Sequence, residues 1–67
     1  MKLTQHQLEE NEKFFNRVAS MTSMYLWPET GLFFIIENGT FICDSKEAFE
    51  TLKDNTPESF HHKIKMK

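Results

Sequence analysis

Cysteine occurs once in this 67-residue chain, at Cys43, so no intramolecular disulfide can form and a secreted disulfide scaffold is excluded. Glycine is nearly as scarce. Gly31 and Gly39 stand alone, which leaves no glycine-rich loop to cradle a phosphate. Long apolar runs are missing too: the longest, Leu32 to Ile36, falls far short of the ~20 residues that span a bilayer. The opening Met1-Lys2-Leu3-Thr4-Gln5-His6 lacks the apolar centre of a signal peptide. These absences together predict a cytoplasmic protein, and the Met1 start reads as that of a complete small natural protein. Charge of one sign is also lacking. Eight basic and ten acidic residues leave a net −2, which supplies no general drive toward nucleic acid or an anionic membrane.

What is present is a core. An apolar fraction of 39% with seven phenylalanines is too rich for a disordered chain. Sixty-seven residues make a single small domain, residues 1–67, and a domain of this size buries only ~60% of the surface its unfolded chain exposes. Small domains therefore gain by oligomerising or docking on a partner.

The order of elements reads α-β-β-β-α-α, an α+β fold. Thr4 followed by Gln7 is a capping box, and Leu8, Phe15, Val18 and Ala19 recur near helical spacing, which predicts a helix from about Gln5 to Met21. Met24–Trp27, Leu32–Glu37 and Thr40–Cys43 are rich in β-branched and aromatic residues. Asn38-Gly39 between the last two is a strong hairpin signal, because a type I′ turn needs positive φ at both central positions. The prediction is a three-stranded antiparallel meander. Asp44 or Ser45 then caps a short helix through Lys53, with Asn55 as its stop. Thr56-Pro57-Glu58 starts a second short helix through roughly Lys63, with Phe60 and Ile64 four apart, so one or two short helices close the chain. Lys63, Lys65 and Lys67 read equally well as a solvated basic tail or as a small binding patch.

A two-residue loop sets the register: Glu37 opposite Thr40, Ile36 opposite Phe41, Ile35 opposite Ile42, Phe34 opposite Cys43. Leu32, Phe34, Ile36, Phe41 and Cys43 then share one wholly apolar face. Phe33, Ile35 and Ile42 lie on the other, where a sheet with one solvated face should carry polar residues. Something should cover them, either a helix of the same chain or a partner. Tyr25 and Trp27 belong to a partner surface if they share that face, since such residues are enriched at interfaces, but the sequence leaves their face open. The predicted protein-binding residues are accordingly Tyr25, Trp27, Phe33, Ile35 and Ile42.

Catalytic chemistry finds little to build on. Cys43 falls on the apolar face, where a thiol is inert, and His6, His61 and His62 all lie outside the sheet. Adjacent His61 and His62 point about 100° apart on a helix and do not chelate one ion, and no C-x-x-C, H-E-x-x-H or EF-hand loop is present. Glu9, Glu10 and Glu12 read as a solvated helix face. The sequence thus predicts no enzyme, no metal, no cofactor and no small-molecule substrate. In size, in its abundance of Lys, Asn, Glu, Phe and Ile, and in the lack of a catalytic signature, the chain resembles the small accessory proteins of bacteriophages and mobile elements. Many of those bind, inhibit or redirect a host protein, and the resemblance implies a protein partner; the apolar second face of the sheet adds the expectation of a homodimer. The alternatives are a nucleic-acid-binding regulator, against which the charges count, and a structural subunit of a larger assembly.

Overall fold

The computed structural model describes residues 3–67 and is an α+β layer: a four-stranded sheet with its helices on one side. Helix α1 spans Gln5–Met21. Both halves of the predicted capping box are formed. Thr4 Oγ1 accepts from the Gln7 backbone N–H at 3.1 Å, and the Thr4 N–H donates to Gln7 Oε1 at 2.8 Å. The helix ends at Thr22, whose N–H returns to the Val18 carbonyl and whose Oγ1 donates to the Met24 carbonyl at 2.7 Å, turning the chain into the sheet.

Strands β1 (Met24–Trp27), β2 (Leu32–Glu37) and β3 (Thr40–Cys43) form the antiparallel part. At the β2–β3 hairpin Asn38 has φ 53° and Gly39 φ 76°, and the pairing runs Glu37 with Thr40 through Phe34 with Cys43. The β1–β2 connection is the four residues Pro28 to Gly31, closed by a 2.7 Å bond from the Gly31 N–H to the Trp27 carbonyl. It sets Tyr25 opposite Phe34 and Trp27 opposite Leu32.

Helix α2 is Lys46–Asp54, and its cap is Ser45, whose Oγ accepts from the Ala48 N–H at 3.1 Å. The end of the chain departs from the sequence prediction. Thr56 does not cap a new helix. It is buried, and its hydroxyl donates to the Leu52 carbonyl at 2.7 Å, extending the end of α2. A 3-10 helix covers Glu58–Lys63 with Pro57 at its N-cap, and Ile64–Met66 form a fourth strand, β4, parallel to β3. The sheet is therefore a mixed one of four strands in the order β1-β2-β3-β4, and not a three-stranded meander. Helical spacing of Phe60 and Ile64 suggested one element. A tight helix that drops Phe60 inward, followed by an extended strand that sets Ile64 beside Phe41, buries both side chains equally well. It also gives the β3 backbone a second hydrogen-bonding neighbour, including a bond from the Lys67 N–H to the Cys43 carbonyl at 3.0 Å.

One cluster makes the core. Phe15 of α1 is its hub, meeting Trp27 at 5.2 Å and Phe41 at 5.6 Å edge-to-face, with Phe34 and Phe60 slightly farther. Such ring pairs add ~0.5–1.5 kcal/mol each beyond the area they bury. Val18 from α1, Ala48 and Leu52 from α2, Phe60 from the 3-10 helix and Ile64 from β4 complete the cluster against Phe34, Ile36, Phe41 and Cys43.

Candidate functional site

The face of the sheet away from this cluster is defined by register. Met24 pairs with Ile35, Leu26 with Phe33, Ile35 with Ile42, and Ile42 with Lys65. Alternation therefore lines up Met24 and Leu26 on β1, Phe33, Ile35 and Glu37 on β2, Thr40 and Ile42 on β3, and Lys65 on β4. Every buried side chain of α1, α2 and the 3-10 helix joins the core cluster on the opposite face, so among the described residues no helix covers this one. Met24 and Leu26 are each 55% exposed and Phe33 39%, while Ile35 and Ile42 are half-buried by their neighbours.

Three of the predicted binding residues, Phe33, Ile35 and Ile42, thus share an open apolar face. Tyr25 and Trp27 do not. The four-residue β1–β2 loop places both on the helix-covered face, where Trp27 is buried against Phe15 and Tyr25 is half-buried. Met24 and Leu26 occupy the open face in their stead. Pairing Trp27 with Leu32 across Pro28 to Gly31 decides the parity of the whole strand. Lys65 is exposed on the open face beside Ile42, and Glu37 on the same face carries the opposite charge.

A second concavity, of about 470 Å³, lies between the start of α1 and β1 with its turn. Phe14, Phe15, Tyr25 and Trp27 give it aromatic walls, and Glu10 and Glu29 are among its polar lining. Phe14 stands edge-to-face with Tyr25 at 5.9 Å and is 43% exposed. Burial first, and then the neighbouring Glu29 carboxylate, push the Tyr25 hydroxyl above its usual range.

The reactive side chains are scattered. Cys43 is completely buried, and that burial pushes its thiol up to about 11, leaving the unreactive protonated form at neutral pH. His61 Nε2 lies 2.8 Å from the Lys53 carbonyl and 3.0 Å from the Thr56 carbonyl. Two acceptors on one nitrogen assign the proton to Nε2, and the ring ties down the C-terminal end of α2. His6 is exposed, 3.9 Å from Glu10, and His62 is exposed on the 3-10 helix. Lys13 pairs with Glu10 at 3.7 Å, and Gln5 donates to Glu9 at 3.0 Å, so the acidic run of α1 makes exposed local pairs. Among the described residues no group of three or more His, Cys, Asp or Glu side chains is placed to hold a metal ion, and no helix is long and apolar enough to cross a membrane.

No known protein family, curated protein or solved structure matches this chain.

Proposed function

We propose that the chain is a small non-enzymatic protein-binding module that pairs with a second copy of itself through the open sheet face and offers its helical side to another protein. The observation that carries this reading is the row of apolar side chains, Met24, Leu26, Phe33, Ile35 and Ile42, with no helix above it. Fully burying one such side chain is worth about 1.5–3 kcal/mol relative to leaving it in water. For a domain near the low end of the ~5–15 kcal/mol stability range, covering the row is a large gain. Contiguous apolar patches of this kind mark contacts with other macromolecules.

Self-pairing is favoured by the charges. One face carries both signs, Glu37 at the hairpin end and Lys65 on β4. A twofold axis makes residue i meet j while j meets i, so each Glu37 can be set against the other copy's Lys65. Size bounds the affinity. Strands ~4.8 Å apart rising ~3.3 Å per residue give a footprint of about 15 by 20 Å. That is small against the ~800 Å² per partner of a long-lived complex, so the pairing is reversible, with dissociation in the micromolar range. The helical side stays free for a heterologous partner. The likeness in size and composition to accessory proteins of bacteriophages and mobile elements makes a host protein the class we assign to it.

Sedimentation velocity over a concentration series, on the wild type and on Ile35→Lys, tests the pairing. The wild type should move from monomer toward dimer as concentration rises, while Ile35→Lys stays a folded monomer. A wild type that is still monomeric at high micromolar concentration would sink the self-pairing.

A further inference from the structure

The aromatic cleft between α1 and β1 lies on the far side of the molecule from the open face, and its chemistry is different. Trp27 is 8% exposed, yet its indole N–H donates to no acceptor among the described residues. No buried side-chain nitrogen or oxygen is left unpaired among those residues, so this N–H must be reachable by solvent. Trp27 is itself among the residues that line the cleft. A buried indole ordinarily finds an acceptor, and this one has its N–H free to donate.

Around that donor the cleft is acidic. Glu10 on α1 already has His6 at 3.9 Å and Lys13 at 3.7 Å. Glu29, in the turn after β1, makes no ion pair among the described residues. Burial first, and the Glu29 carboxylate second, raise the Tyr25 hydroxyl above its usual range, which sets Glu29 near that ring. The rings of Phe14 and Tyr25 line the same cleft, and the face of such a ring attracts a cation within ~6 Å. A neutral apolar guest would strip water from the carboxylates with nothing in return. A cation answers both the rings and Glu29.

We propose that this cleft binds a basic side chain, a guanidinium or ammonium, presented by a partner polypeptide whose backbone carbonyl accepts from the Trp27 indole. The cation and the carbonyl together point to a peptide rather than to a free amine. About 470 Å³ is ample for one extended arginine or lysine side chain. The proposal shares with the protein-binding reading only the source of the side chain and does not involve the sheet face.

Trp27 is the sole tryptophan, so its fluorescence reports the cleft directly. The wild-type protein is titrated with N-acetyl-arginine N-methylamide, with the neutral citrulline analogue, and with N-propylguanidinium, which keeps the cation and lacks the carbonyl. The blocked arginine should shift the Trp27 emission saturably in the millimolar range. Citrulline should give no saturable change, and propylguanidinium should bind about fivefold more weakly, the loss of one ordinary hydrogen bond. Glu29→Gln and Phe14→Leu, both at exposed positions, should each weaken the blocked arginine by about fivefold or more. Equal binding of citrulline and arginine would overturn the cation site, as would a response insensitive to both substitutions. Equal or tighter binding of propylguanidinium would overturn the peptide assignment. Repeating the titration on Ile35→Lys separates this outcome from any failure of the sheet-face pairing, because the cleft readout does not depend on association.

Discussion

The two faces of the sheet are built from the same residue types and meet opposite fates. Phe34, Ile36, Phe41 and Cys43 on one face are buried, three of them with no exposed surface at all; Phe33, Ile35 and Ile42 on the other remain partly open. Strand chemistry does not separate them. The difference lies in the helices, which bring five buried side chains to the core cluster: Phe15, Val18, Ala48, Leu52 and Phe60. That supply is enough to close one face and no more. In a chain of this length, how much apolar surface the helices can offer decides how many sheet faces fold from within.

The comparison breaks first at the hub. Phe15→Ala should cost about 3–5 kcal/mol, enough to unfold most of the protein, and urea denaturation followed by far-UV circular dichroism measures it. Next comes Cys43. Cys43→Ser puts a hydroxyl in a fully buried apolar site and should cost about 1–3 kcal/mol, more than Cys43→Ala does, by the same assay. The thiol also sets a pH dependence. Its folded pKa is raised from 9.0 to about 11, so between those values the unfolded chain loses the proton that the folded one keeps. The contribution is fully present below pH 9 and lost as pH rises through about 11, and urea midpoints of wild type and Cys43→Ala compared across that window should converge or cross. At neutral pH native Cys43 should resist alkylation, with labelling governed by unfolding.

Smaller again is the turn. A Cβ at Gly39 would meet nothing within 4 Å, so Gly39→Val costs backbone strain alone at φ 76°. That is about 1–2 kcal/mol, read as a lowered thermal midpoint. The smallest effect is expected on the open face. Phe33→Ala, measured in dilute monomer, should change stability by well under the Phe15→Ala value, about 1 kcal/mol or less, because 39% of the side chain is already exposed. A Phe33→Ala loss as large as that of Phe15→Ala would erase the distinction between the faces.

Most of the fold was legible in the residues. Thr4 and Gln7 announced the first helix, the Asn38-Gly39 pair set the β2–β3 register, and Ser45 was one of two candidates for the cap of α2. What escaped has physical causes. β4 is three residues long, and its Ile-Lys-Met alternation is too short to stand out against the helical spacing of Phe60 and Ile64. Its pairing is parallel and distant in sequence, so no turn signals it. For the site, Phe33, Ile35 and Ile42 followed from a two-residue loop. Tyr25 and Trp27 were undecided because the loop before β2 is longer and tolerates more than one register. The cleft had no local signature. It comes from the packing of α1 against β1, a tertiary relation that Glu29 and Phe14 do not advertise in sequence.

The sharpest test of the open face is an isotope-filtered NOE experiment on an equimolar mixture of carbon-13-labelled and unlabelled protein, at a concentration where sedimentation shows dimer. Signals that cross between copies should join the methyl groups of Ile35, Ile42, Leu26 and Met24 to the Phe33 ring, and should vanish in Ile35→Lys. Cross-copy signals confined to other surfaces, or none at all in a sample that sediments as a dimer, would contradict the account.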